Sequence, residues 1–515
     1  MGSLDEHNQS LWADNGPTKT YRSLNEKGSF DAIVIGGGIT GLTTAYLLKQ
    51  EGMKVAVLEA GRIASGVTGY TTAKVTALHG LIYDELSSRN GVDRASAYGA
   101  ANLWGVARIA NIVEQLGMEC DLERLDAYTY ADSDDAAESV RREVAACADA
   151  DVPVELATST PLPFSVRAAV VMRNQYMFHP RKYCAGLAEA IAGNGSRIYE
   201  HTRVAEVEEL KTLCHVKTDD KVTLSTPFVV AATHMPFMGD GNFFAKEYPY
   251  RAYVIAARAK DGAPDGMFIS ADEPVRSVRP YRSGDERWLI IGGESHKVGQ
   301  EPEPGDHYEA LESWARERFD GLGPVEYRWS AQDYMTMDGM PYVGRITPSH
   351  ERIFVATGYR KWGLTNGTAA ARIITDAIAG RPNDWAGAFD STRKRPVASA
   401  KEFAKENVNV ARHLVLDKVR TPNVELTDIP AGEGVVLEVA GETLAVYRED
   451  DGELTALSPD CTHMGCRVAF NKAERSWDCP CHGSRFGTDG RVLEGPANQD
   501  LERKEIEAAA GEKRR

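Results

Sequence analysis

Residues 32–35 are apolar, and the break that follows is made of glycine. Asp31-Ala32-Ile33-Val34-Ile35 runs into Gly36-Gly37-Gly38, after which apolar positions recur at helical spacing from about Ile39 to Gln50. A second strand pattern over 54–58, apolar from Val55 onward, ends at Glu59. This strand–turn–helix–strand order predicts the opening of an α/β domain. Alanine-rich helical patterns over 83–116 and 134–148 read as scaffold. They are followed by a predicted helix over 181–191, a strand over 196–207 and a returning strand over 228–233. Between about 247 and 330 the period shortens. Alternation over 250–258, 276–281 and 288–291 predicts an antiparallel sheet. A strand over 354–358 and a helix opening at 363–367 then close the α/β pattern. The first thirty residues are polar except around Leu11, Trp12 and Tyr21, which predicts an arm lying on the main body. Residues 386–420, with Arg393-Lys394-Arg395-Pro396 and a polar helical piece up to Leu416, read as a connector.

At 515 residues and 43% hydrophobic, the chain is long enough for two or three cores, and the pattern divides it into three units. Lys and Arg number 59 against 75 acidic residues, a net charge of −16 with no long basic cluster, so nucleic acid is not an expected partner. No apolar run approaches the roughly 20 residues that cross a bilayer, and the first thirty residues lack a signal pattern. A cytoplasmic protein without a membrane span is expected.

Gly36, Gly38 and Gly41 form G-x-G-x-x-G between a strand and a helix. The first glycine lets the chain turn, the second admits a pyrophosphate to backbone amides, and the third lets helix and strand pack closely. Glu59, 18 residues past Gly41, ends the second strand, where a carboxylate accepts hydrogen bonds from ribose hydroxyls. The loop Gly61-Arg62-Ile63-Ala64-Ser65-Gly66 through Thr68 to Lys74 is long and rich in small residues, which suits a flavin better than a nicotinamide. No second fingerprint appears, since Ile290-Ile291-Gly292-Gly293-Glu294 lacks the third glycine. A separate nicotinamide domain is therefore not expected.

Near the C-terminus, Cys461-Thr462-His463-Met464-Gly465-Cys466 is answered by Cys479-Pro480-Cys481-His482-Gly483-Ser484. Each box offers one Cys and one His, as C-x-H and C-x-x-H. Zinc fingers instead pair each ligand type with itself, so the alternation favours an iron–sulfur centre with two thiolates on one iron and two imidazoles on the other.

These boxes match a Rieske [2Fe–2S] domain, which residues 421–507 resemble. The resemblance implies Cys461, His463, Cys479 and His482 as cluster ligands and a disulfide between Cys466 and Cys481. It also matches Ser484 to a serine that hydrogen-bonds the cluster, and sets Phe486 where high-potential members carry tyrosine, so a middling potential is expected. Gly495-Pro496-Ala497 resembles the shielding proline loop, or is an ordinary turn. Residues 31–385 resemble the D-amino-acid oxidase superfamily of FAD enzymes. The matching segments are the glycine turn, the loop through Lys74, Met337-Asp338-Gly339-Met340-Pro341-Tyr342-Val343-Gly344 and Gly358 through Gly367. That resemblance implies FAD contacts from Gly36, Gly38, Ile39, Thr40, Gly41, Glu59, Ala60, Arg62, Thr71, Thr72, Ala73, Lys74, Val204, Thr233, Gly358, Trp362, Gly363, Leu364 and Thr365. Lys74 either stabilises a reduced flavin anion or is a surface lysine. The antiparallel insert becomes a substrate domain, with Tyr253, Arg279, Tyr281 and His296 as pocket candidates, an Arg suiting a substrate carboxylate.

The expected architecture is an N-terminal arm (1–30), then an α/β Rossmann-like FAD unit with an antiparallel-sheet substrate domain (31–385). A connector (386–420) and an all-β Rieske domain (421–515) complete it. The FAD-binding parts lie at about 31–90, 180–240 and 335–385, and the substrate domain mainly at 247–330. The expected activity is FAD-dependent oxidation of a small amine or amino acid, with electrons passing through the cluster to an external one-electron acceptor. An alcohol or hydroxy-acid dehydrogenase of the same fold, or a non-catalytic flavin and Rieske electron carrier, are the alternatives. A Rieske oxygenase is disfavoured because no local two-His, one-carboxylate grouping appears.

Overall fold

A computed structural model describes residues 8–259, 263–300, 307–393, 400–416 and 425–506. The first seven residues of the arm, Lys394-Arg395-Pro396 of the connector, the join at 417–424 and the C-terminal 507–515 lie outside the described residues.

The first unit is built on a six-stranded sheet. Its order is Tyr342–Arg345, Ile353–Thr357, Phe228–Ala231, Ala32–Ile35, Val55–Leu58, Arg197–Tyr199, parallel except at the Tyr342–Arg345 edge. All four positions of Ala32–Ile35 and of Val55–Leu58 are buried, which accounts for their continuous apolar runs. Alternation divides them between two cores. Ala32, Val34, Val55 and Val57 face the helices, whereas Ile33, Ile35, Ala56 and Leu58 pack with Val204, Val216 and Leu224 of a small four-stranded sheet. The strand expected over 196–207 is accordingly two strands, Arg197–Tyr199 in the parallel sheet and Val204–Glu209 in the small one. His201, in the left-handed region at φ 50°, lies between them.

The second layer is a nine-stranded mixed sheet. Its longest members, Glu247–Ala259 and Leu322–Thr336, pair antiparallel along most of their length. The alternation over 247–330 does form this sheet, but Glu123–Ala131, Ala168–Met177 and Lys74–Val75 join it from outside that segment. A helix, His307–Arg318, interrupts the segment and covers one face. The last unit is all β, with two four-stranded antiparallel sheets. The helix Ala400–Leu416 runs beside both units. Lys297 Nζ donates to Glu406 at 2.5 and 2.6 Å, and Val410 packs against the last unit's core.

The arm is tied down by burial and by hydrogen bonds, two of them to the loop at 69–71. Leu11 and Trp12 are fully buried, Ser10 Oγ donates to the Gly69 carbonyl at 2.8 Å, and the Trp12 indole N–H donates to the Thr71 carbonyl at 2.7 Å. Trp12 also meets Tyr281 edge-on at 4.9 Å and lies under the Arg279 guanidinium. Trp12→Ala is therefore expected to remove about 3–5 kcal/mol of stability, as a large buried aromatic does. The check is a lowered midpoint of thermal unfolding followed by tryptophan fluorescence, and an unshifted midpoint would show that the arm is dispensable.

Candidate flavin cleft and iron–sulfur centre

The glycine turn is shaped by contacts that exclude a side chain. Gly36 has φ 107°, and a Cβ there would lie 2.3 Å from the Ala232 carbonyl oxygen; one on Gly41 would lie 2.0 Å from that of Gly36. Gly38 caps the helix Ile39–Gln50 without a side-chain bond, leaving that end to backbone N–H groups. Glu59 faces the turn from the end of its strand, accepting from the Gly37 and Gly61 amides, each at 2.7 Å. Burial raises its pKa against those two bonds. Ile39 N–H donates to Thr68 Oγ at 3.1 Å, and Thr40 donates to the Tyr359 hydroxyl at 3.1 Å. Ala60 follows Glu59, while the Arg62 guanidinium turns away to the arm and donates to the Thr18 and Lys19 carbonyls. Val204 opens its strand in the small sheet, and the Thr233 hydroxyl donates to the Met235 carbonyl at 2.9 Å.

A cleft beside this turn is lined by Thr71, Thr72, Lys74, Lys361, Trp362, Gly363, Leu364 and Thr365. It meets the N-terminal end of the helix Gly363–Ile378, whose first residues lack a side-chain cap. Those free N–H groups and the helix dipole favour negative charge. Lys74 is buried, with its ammonium hydrogen-bonded to Ser277 Oγ. Burial and then the nearby Arg279 lower its pKa to about 7. Lys361 sits at the cleft with φ 72° and donates through Nζ to Ser295 Oγ at 2.6 Å. The Trp362 ring stacks on His79 at 4.4 Å. Gly358, at φ 76°, has no space for a Cβ, which would lie 2.3 Å from the Thr336 side chain.

The four residues expected at the substrate pocket do not line this cleft. Tyr253 is fully buried on the sheet face that carries Ile255 and the helix His307–Arg318, opposite the face that carries Val254. It stacks on His307 at 4.3 Å, and its hydroxyl is 3.1 Å from His296 Nε2. Arg279 and Tyr281 do face the loop but pack behind it. Arg279 donates to the Ala73 carbonyl at 2.7 Å beside Trp12, and Tyr281 donates to Asp121 at 2.9 Å. Lys74 alone of the five lines the cleft.

In the C-terminal unit the two boxes face each other. Cys461 and Cys479 are buried and share a hydrogen bond, which lowers Cys461 to about 7 and raises Cys479, with the Ser484 hydroxyl and nearby backbone also favouring the Cys461 thiolate. The His463 and His482 rings lie 5.0 Å apart and perpendicular, and both Nδ1 atoms are buried without a hydrogen-bond partner. Two buried, neighbouring sulfurs and two orphaned imidazole nitrogens fit a centre with two thiolate and two imidazole ligands. Cys466 and Cys481 form a disulfide. Although the sulfurs of Cys466, Cys479 and Cys481 cluster within 4.8 Å, only Cys479 among them is therefore free to ligate. Ser484 Oγ accepts from the Ala497 amide at 3.0 Å, next to the cis Gly495–Pro496 peptide.

This cluster end of the unit is docked on the ends of the long strands, an arrangement absent from the sequence reading. Gln332 Nε2 donates to the Gly483 carbonyl at 2.7 Å, and the Tyr334 hydroxyl lies 3.1 Å from both the His482 and the Gly495 carbonyl oxygens. Phe244 meets the rings of His463 and His482 edge-on at 5.5 and 5.2 Å. Gly483 has φ 77°, and a Cβ there would lie 2.6 Å from the Pro249 side chain. His482 is buried by this contact, while His463 stays half-buried beside exposed Met464.

Residues 31–377 match the family described as FAD dependent oxidoreductase, and residues 420–505 match the Rieske [2Fe-2S] domain. A Bacillus subtilis protein, YhfW, named for its Rieske 2Fe-2S iron–sulfur unit, is 34% identical over 500 residues, covering 97% of this chain and 98% of its own. The gamma-glutamylputrescine oxidoreductase of Escherichia coli is 23% identical over 390 residues, covering 73% of this chain and 90% of its own. Among solved structures, glycine oxidase from Geobacillus kaustophilus superposes with a TM-score of 0.60 at 20% identity, over 71% of this chain and 99% of its own. No helix among the described residues is long and apolar enough to cross a membrane.

Two outcomes are expected. Cys479→Ser or His463→Ala should abolish iron binding and the reduced-cluster EPR signal while leaving bound flavin intact; parallel loss of flavin would show that the units fold as one. In flavin-free protein, Lys74 is deprotonated when folded between pH about 7 and 10.5, whereas the unfolded chain binds that proton. Its contribution to stability therefore rises with pH across that window. Lys74→Met removes that rise, read as the difference between the two proteins in urea unfolding at pH 6, 8 and 9.5.

Proposed function

Because the chain belongs to the FAD-dependent oxidoreductase family and ends in a Rieske [2Fe-2S] domain, we propose that it oxidises a small amine or amino acid and passes the electrons from FAD through the cluster to an external one-electron acceptor. One observation carries this reading. Asp333 and Tyr334 are neighbours on one strand; Asp333 accepts from the Lys361 amide at the flavin cleft, and Tyr334 holds the carbonyls of the cluster loops. The two centres are thus fixed by consecutive residues. Relatedness to gamma-glutamylputrescine oxidoreductase and glycine oxidase supports the substrate class.

FAD, when bound, supplies two-electron acceptance, and a [2Fe–2S] cluster passes electrons singly. The residues take the remaining roles. Gly36 and Gly41 would shape the turn, Gly38, Ile39 and Thr40 would open the helix towards the pyrophosphate, and Glu59 would turn its carboxylate to the ribose hydroxyls. Val204 and Thr233 border the adenosine half. Thr71, Thr72, Ala73, Trp362, Gly363, Leu364 and Thr365 frame the ring system, and Lys74 answers negative charge there, since an anion in the cleft favours its ammonium form. Cys461, Cys479, His463 and His482 ligate the cluster. Hydride transfer from an uncharged amine needs orientation over the ring more than a side-chain base, which accords with a cleft that holds lysines and threonines and no carboxylate.

The test is anaerobic mixing of the holoprotein with a panel of amines, amino acids and 2-hydroxy acids. Flavin bleaching by an amine, followed by the cluster's reduced EPR signal in the same sample, is the expected result. Bleaching by hydroxy acids alone would replace the substrate class, and reduction only by a partner protein would make the chain a carrier.

A further inference from the structure

His234 follows the strand Phe228–Ala231 and takes part in neither the glycine turn nor the cluster, yet its ring is held from both units. Its Nε2 lies 3.3 Å from Asp333 Oδ1 on the long strand, and its Nδ1 lies 3.0 Å from Glu494 Oε1, one residue before the Gly495–Pro496 loop. Asp333 uses its other oxygen to accept from the Lys361 amide. The side chains of His234, Asp333 and Glu494 are 19%, 11% and 19% exposed, so water does little of the bonding. Burial alone would lower the imidazole's pKa, but the hydrogen bonds and charges of the two carboxylates outweigh it and raise it to about 10. Both ring nitrogens therefore donate. Arg485 also approaches Glu494, at 3.8 Å, so the carboxylate is held from both sides.

The backbone carries a second, independent sign. Non-glycine residues in the left-handed region are uncommon, and where held there by their surroundings they cluster at functional sites. His234 (φ 67°), Arg360 (φ 53°) and Lys361 (φ 72°) all adopt it, and each is pinned by the same group of contacts. The Thr357 hydroxyl donates to the His234 carbonyl at 2.5 Å, the Arg360 amide donates to the Tyr334 carbonyl at 3.2 Å, and the Lys361 amide donates to Asp333.

We propose that His234 is a positioning residue: shared between Asp333 and Glu494, it clasps the Rieske proline loop to the turn that presents Lys361 to the flavin cleft, and so sets the geometry for electron passage between the two centres. This deepens the proposed function and rests on it for the electron-passing role only. The clasp itself is a matter of docking and stands or falls separately.

The test uses full-length holoprotein and two variants. His234→Asn keeps a residue type that tolerates the left-handed backbone but is too short to span both carboxylates. Glu494→Gln removes one charge with little change in shape. Each is expected to raise amide hydrogen exchange over residues 479–496 by about tenfold or more, as loss of a docking contact lowers the cost of local opening. Exchange over 32–41 and the flavin and iron contents should match wild type. After the bound flavin is photoreduced in the presence of EDTA, the reduced-cluster EPR signal should appear several times more slowly than in wild type. Unchanged exchange in both variants would overturn the clasp. Raised exchange with an unchanged transfer rate would overturn the positioning role. If wild type itself passes no electrons, the function proposed above falls, and the exchange measurement still decides the clasp.

Discussion

The pairing of Glu247–Ala259 with Leu322–Thr336 is the constraint on which the two centres depend. In an antiparallel pair each side chain's face is fixed by register, and a slip of one residue would turn every side chain over. In the observed register Pro249 stands opposite Tyr334 and Arg251 opposite Gln332. Pro249, Gln332 and Tyr334 therefore meet the cluster loops together, and Asp333, pointing the other way, reaches His234 and the Lys361 turn. Period-two alternation thus assigns consecutive residues to different centres. Helices would have spread these contacts over three or four positions, with a longer and less rigid path between them.

The same register explains the buried charges of the seam. Arg251 is fully buried, donating to Ser330 and Gln332 while its Nε lies 3.6 Å from Asp478 of the Rieske unit. Asp478 is held as a carboxylate despite burial by Arg251 and Arg485, which with the hydrogen bonds of Asn471 and Ser476 keep it below the usual range. A buried pair of this kind adds little to stability, because desolvation consumes the Coulomb gain, but breaking it leaves an uncompensated charge. Such a seam disfavours alternative dockings more than it strengthens the observed one.

Some of this was legible in the sequence, for physical reasons. The glycine turn follows from steric exclusion within ten residues, and the ligand boxes from the chemistry of thiolate and imidazole, so Gly36 to Gly41 and Cys461 to His482 are visible in linear spacing. The substrate-side residues are not. Tyr253 lies on its expected strand, but the helix His307–Arg318 covers its face, and that helix falls in a stretch without a clear alternation. Arg279 carries the charge expected of a carboxylate clamp, but Trp12, more than 250 residues away, takes that face. His234 and Asp333 had no signal of their own. Each is one polar residue at the end of a strand, and their meaning comes from Glu494, which the fold brings in from a different domain.

The left-handed turn at Arg360 and Lys361 shows why the seam and the cleft are best treated as a single structure. Each such residue costs of order 1–2 kcal/mol unless its surroundings impose it. Here the imposing groups are the Asp333 carboxylate, the Tyr334 carbonyl and the bidentate pair of Arg360 with Glu85, at 2.9 Å for both bonds. Two of these three come from the residues that also hold the Rieske unit. A change that relaxes the seam at Asp333 must therefore also release the Lys361 amide, and with it the constraint that aims that lysine at the cleft. Asp333 and Tyr334 therefore tie the turn at the cleft and the seam with the second domain to one short piece of strand.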